Sequence, residues 1–94
     1  MTMTMMVHED ARFEVKVHPH VELRDGSPLV EGSRVPVRRL WDFHKRGVPI
    51  ATLIARYPLL GPARVLSALA FAYDNEDLIA WDLERSVEKE KRGG

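Results

Sequence analysis

EGSRVPVRRLWDFHKRGVPIATLIARYPLLGPARVLSALAFAYDN, residues 31–75, decides how this chain folds. Three prolines, Pro36, Pro49 and Pro62, each precede a set of apolar residues at helical spacing. Proline suits a first helical turn because the amide hydrogen it lacks would have no intrahelical partner there. The first helix should run from Pro36 to Arg46, where Gly47 stops it, with Val37, Leu40, Trp41 and His44 on one face. The second should start at Pro49, bury Ile50, Leu53, Ile54 and Tyr57, and end before Pro58, which pushes Tyr57 out of the helical region. After a turn at residues 59–61, a third helix over 62–73 should turn Val65, Leu66, Leu69 and Tyr73 inward.

Outward from this stretch the pattern changes. Phe13, Val15 and Val17 alternate with Arg12, Glu14 and Lys16, the two-residue period of a half-buried strand. His18-Pro19-His20 interrupts it, and Val21-Glu22-Leu23 resumes it briefly. Asp25-Gly26-Ser27-Pro28 is turn chemistry, and residues 29–31 and 34–35 flank Gly32-Ser33 as a second small hairpin. Downstream, Asp74-Asn75 breaks or caps the third helix. A fourth carries Leu78, Ile79, Leu83 and Val87. The organisation read here is a disordered leader over 1–11, a single domain over 12–87 and a charged flexible tail over 88–94. The fold class is α+β, mainly α: short N-terminal β-strands followed by a three- to four-helix bundle.

The charge is distributed unevenly. Between Arg34 and Arg64 stand seven basic residues and one acid, Asp42, a local net charge of +6 in a chain whose 94 residues sum to zero. Folded proteins mix signs on an idle surface, so such a stretch suggests contact with phosphate. A chain of this size buries only roughly 60–65% of its unfolded surface, and a homodimer is expected to supplement its core. There is no cysteine, which excludes disulfides and thiolate metal sites and fits a cytoplasmic protein. No apolar run approaches the roughly 18 residues of a membrane span. The N-terminus lacks the basic and apolar regions of a secretory signal.

Two helices joined by a turn of three or four residues match a helix-turn-helix, in which the second helix enters the major groove by its N-terminal residues. Arg64 and Ser67 lead that helix and are candidate DNA-contacting groups; Arg38, Arg39, Lys45 and Arg46 on the first helix are candidate phosphate contacts. The same residues carry a resemblance. Gly-Ser-Arg-Val-Pro-Val at 32–37, Gly47, Tyr-Pro-Leu-Leu at 57–60 and Ala-Leu-Ala-Phe at 68–71 together resemble the family catalogued as domain of unknown function 433, over about half the chain. That resemblance implies a homeodomain-like helix-turn-helix, and some members serve as VapB-type antitoxins encoded beside a PIN-like ribonuclease toxin. It implies a repressor of its own promoter DNA that also masks a toxin protein.

Other residues are read against plainer alternatives. Arg34 is expected to hold its turn by hydrogen-bonding carbonyls rather than to reach a ligand. Most aromatics fall on helical stripes and belong to a core; Phe43 and Phe71 fall off them and are candidates for a dimer interface. His18 and His20 lack a third ligand at a metal-binding spacing, and no cofactor is expected. The acids of the fourth helix show no catalytic arrangement, and no enzyme activity is expected. Instead the acidic, amphipathic fourth helix is expected to dock a partner through Leu78, Trp81, Asp82, Leu83 and Arg85. The apolar run of the third helix motivates an alternative: a homodimeric protein-interaction module that keeps the helix-turn-helix shape without binding DNA.

Overall fold

In a computed structural model describing residues 5–10 and 12–93, two small antiparallel β-ribbons lie against four helices. The elements are β1 (Met5–Val7), β2 (Glu14–Lys16), β3 (Val21–Arg24), β4 (Ser27–Val30), α1 (Val37–Lys45), α2 (Ile50–Arg56), α3 (Gly61–Asp74) and α4 (Glu76–Gly93). The α+β, mainly helical class is as the sequence predicts, and each of the first three helices starts within one residue of its proline, Pro36 and Pro49 standing as extended caps just before α1 and α2. The carbonyl of Pro36 accepts from the Arg39 amide, and that of Pro49 from Thr52 and Leu53. α1 ends through Gly47, whose φ of +92° is open to glycine at little cost.

β3 and β4 pair with Arg24 opposite Ser27, leaving Asp25 and Gly26 as a two-residue loop. Both have positive φ, as a type I′ hairpin requires. Gly26 is also needed for space. A Cβ there would stand 2.7 Å from Glu9 Oε1 and 3.0 Å from His8 Nε2. The second hairpin expected at residues 29–35 is reduced to a tight turn and one bridge, between Leu29 and Pro36. Ser33 closes this turn: its hydroxyl donates to the Val30 carbonyl at 2.7 Å and accepts from the Val35 amide at 3.1 Å. That is the role expected of Arg34, which instead points into solvent.

The expected leader over residues 1–11 is corrected where the structure describes it. Met5–Val7 pairs with Glu14–Lys16, and His8 is buried at 2% exposure. His8 Nδ1 accepts the Asp10 amide hydrogen at 2.9 Å, so the ring proton sits on Nε2, which donates to the Gly26 carbonyl at 2.7 Å. Its ring meets Phe13 and Trp81 edge-on, with centroids 5.5 and 5.0 Å away. Residues 1–4 and 11 lie outside the described residues. The tail expected over 88–94 continues α4 through Gly93, with residue 94 outside the described chain.

α3 occupies the centre, with Val65, Ala68, Leu69, Phe71 and Ala72 buried against Val37 and Leu40 of α1, Leu53 of α2, and Leu78 and Ile79 of α4. Phe71, expected at an interface, is a core residue at 2% exposure. Asn75 ties the α3–α4 junction to β2: its Oδ1 accepts from the Lys16 amide at 2.9 Å, and its Nδ2 donates to the Lys16 and Phe71 carbonyls at 3.0 and 2.9 Å. Among the described residues no helix is long and apolar enough to cross a membrane.

Candidate functional site

The basic stretch and the expected helix-turn-helix make α1, α2 and α3 the unit to test for DNA contact, and its arginines divide sharply. Arg38 points inward. Its Nη1 donates to Asp82 Oδ2 at 2.9 Å, and the Asp82 side chain is 1% exposed. Ser27 donates to Asp82 Oδ1 at 2.6 Å, and Arg85 completes the cage by donating to the Asp25 carbonyl at 3.0 Å and to the Ser27 hydroxyl. Removing Arg38 would leave a carboxylate this deep with only the longer Arg85 contact and Ser27, so Arg38 is a structural ion-pair partner and not a phosphate contact.

The other basic candidates sit at the surface with varied company. Arg39 is exposed on the outer face of α1. Arg46 pairs with Asp42 one turn earlier at 3.2 Å, which offsets its charge locally. The Lys45 ammonium lies 5.3 Å from the centre of the Trp41 ring, and the Arg56 guanidinium 5.1 Å from that of Phe43. Arg64 is half-buried, with Nη1 3.5 Å from the Leu60 carbonyl one turn back. Ser67 donates to the Pro19 carbonyl, docking α3 on the loop before β3 instead of offering a hydroxyl to a base.

What α3 does offer outward is apolar. Pro62, Ala63, Leu66, Ala70 and Tyr73 form its solvent side, with Leu66 at 48% and Tyr73 at 55% exposure. Leu66 and Tyr73 were expected inward. α3 instead has two apolar faces, one packed on the core and one open to solvent. Tyr73 leans its ring edge on Trp41 at 4.7 Å and shares a 2.6 Å hydrogen bond with His44. Leu59, in the turn before α3, is 97% exposed and prolongs the stripe. An apolar cleft of about 270 Å³ opens beside it, against Ser33, Val35 and Arg56.

A family model described as "Protein of unknown function (DUF433)" matches residues 18–72, more than half of the chain. The chain belongs to the DUF433 family. In this DUF433 chain the matched span takes in β3, β4, α1, α2 and nearly all of α3, so the apolar stripe lies inside it as far as Ala70, with Tyr73 one residue beyond. The buried Asp82 and the β1–β2 ribbon lie outside it. No curated protein and no solved structure matches the chain.

The partner face expected on α4 of the DUF433 chain is largely interior. Leu78 and Asp82 are 2% and 1% exposed; Trp81 is half-buried between Phe13, His8 and the Arg85 guanidinium, which stacks 4.3 Å over its ring. Only Leu83, at 44%, is available, with Val87 beside it one turn on. Leucine and tryptophan at helical spacing are equally consistent with a core and an interface, and Asp82 is buried largely through Arg38 and Ser27, which stand 44 and 55 residues away. His18, set aside as a metal ligand, pairs with Asp74 at 2.7 Å.

Proposed function

We propose that this chain is a non-catalytic protein-pairing module that keeps the helix-turn-helix shape and works through the outward stripe of α3. One observation carries the reading: from Pro62 to Tyr73 the side of α3 that would enter a major groove bears only apolar carbons and one phenol. Base edges are read by bidentate arginine, asparagine or glutamine. Arg64 and Ser67, the side chains of this helix suited to polar readout, turn toward Leu60 and Pro19. Absence of catalysis belongs to the proposal, since Ser27 donates straight to Asp82 with no base between them. The test is a gel shift with the promoter DNA of its own gene and a scrambled duplex, at low and moderate salt. Equal, salt-sensitive retention or none is expected; selective retention of the promoter at moderate salt would overturn the reading.

A second reading is favoured by the surviving surface charge: Arg34, Arg39, Lys45, Arg46, Arg56 and Arg64 all keep at least part of their side chains in solvent. On this reading the chain is a cytoplasmic antitoxin of the kind the family resemblance implies, gripping promoter phosphates with α1 and masking a PIN-like ribonuclease with another surface. The variant suited to testing it is Arg39→Glu with Lys45→Glu, because any change at Arg38 disturbs the Asp82 cage. Loss of promoter retention with the fold intact would favour this reading.

A further inference from the structure

The outward residues of α3 repeat with the period of a helix-pair seam. Ala63, Leu66, Ala70 and Tyr73 are three, four and three residues apart, the a and d positions of a heptad, and Leu59, in the turn before the helix, adds an exposed apolar side chain at its N-terminal end. All five are exposed. Small and large side chains alternate along it. When two helices run antiparallel, an a residue of one stands level with a d residue of the other. With a two-fold axis level with Ala68, Ala63 meets Tyr73 of the second copy and Leu66 meets Ala70, so every layer sets a small side chain against a large one. A parallel pair would set leucine on leucine and leave alanine facing alanine.

Charge favours the same orientation. The N-terminal end of α3 carries Arg64, lies beside Arg56 from the end of α2 across the cleft lined by Leu59 and Leu60, and starts without a side-chain cap and without an acid in its first turn. The opposite end carries Asp74, Glu76 and Asp77. Antiparallel pairing brings acids to the basic, amide-rich end twice over; parallel pairing would bring like to like. The interface is then isologous and closes on itself without propagating.

We infer that a second copy of this chain occupies the outward stripe of α3, packed antiparallel about a two-fold axis level with Ala68. The inference rests on the protein-pairing reading above and names its partner. Sedimentation equilibrium should show a dimer, and Leu66→Glu should weaken it by about 100-fold, because two carboxylates would enter the seam. Leu66 is half-exposed in the monomer, so circular dichroism should stay unchanged; should Leu66→Glu unfold, Ala63→Glu at an exposed position asks the same question. The chain has no cysteine, so Ala63→Cys with Tyr73→Cys in one chain should cross-link into dimers under mild oxidation while either single variant does not. A monomer at all concentrations overturns the inference. So does a dimer indifferent to Leu66→Glu, or single-cysteine variants that cross-link faster than the pair. None of these outcomes makes the chain a base reader; only selective promoter retention overturns the pairing reading itself.

Discussion

Asp82 is held by three separate parts of the chain, and its surroundings set the cost of changing any of them. Arg38 from α1, Ser27 from β4 and Arg85 one turn along α4 all address a carboxylate that is 1% exposed. Arg38→Ala is expected to lower stability by about 2–4 kcal/mol in urea denaturation, below the full cost of an orphaned ion because Ser27 and Arg85 remain. Arg39→Ala, one residue on but exposed, should stay within about 0.5 kcal/mol. Equal effects at the two positions would mean that the cage does not stabilise the fold. At the far end of the chain, Arg12 donates side-chain hydrogen bonds to both Asp10 oxygens, at 3.1 and 2.8 Å, and its own amide adds a third at 3.2 Å. These hold the Asp10 carboxyl down from 3.8 to about 2. Because the folded value is the lower one, whatever this pairing contributes is present above about pH 4 and is lost as pH falls toward 2. Asp10 lies at the surface, so the measurable signature is the titration itself. Its carboxyl resonance should show a midpoint near 2, moving back toward 3.8 in Arg12→Ala.

Among the elements, the helices were legible because their signals are local: a proline at each start, Gly47 after α1, Pro58 after α2, and apolar residues every three or four positions. β1 was not. Three residues, Met5–Val7, carry no period, and what orders them is remote: β2 across the ribbon, and His8 bonded to Gly26, 18 residues away. The outward face of α3 differs from the sequence expectation for a related reason. An apolar run does not say how many faces of a helix have partners within the same chain, and Leu66 and Tyr73 stand on a face that has none among the described core residues. Joints between elements follow the same logic, and Asn75 is their clearest case. It satisfies both backbone polar groups of Lys16 and the Phe71 carbonyl, which an ionised aspartate cannot do because it has no hydrogens to donate. Asn75→Asp should therefore cost about 2 kcal/mol. His8→Ala should cost a similar amount, about 2–3 kcal/mol, by leaving the Gly26 carbonyl unpaired and a void beside Trp81. For a segment that looked like a leader, that loss is the sharper check, and thermal melting measures both.

At the scale of the molecule, the +6 stretch and its acidic flanks are joined as much by chemistry as by charge balance. The acid at 82 belongs to the negative flank and Arg38 to the positive stretch, and their bond pins α4 to α1. Asn75 likewise pins the α3–α4 junction to the β1–β2 ribbon. Two tryptophans report on the two sides of this junction: Trp41 lies among His44 and Tyr73 on the helical unit, and Trp81 among His8 and Phe13 beneath the ribbon. If these polar joints make one cooperative unit, the single-tryptophan variants Trp41→Phe and Trp81→Phe should give coincident urea transitions by fluorescence, as expected for a small domain without populated intermediates. A Trp81 transition at lower urea would mean that the ribbon and the start of α4 unfold as a separate, weaker layer. Arg38→Ala sharpens the comparison. Loosening α4 from α1 should lower both midpoints together if the unit is single, and should split them if the Asp82 cage is what makes it so.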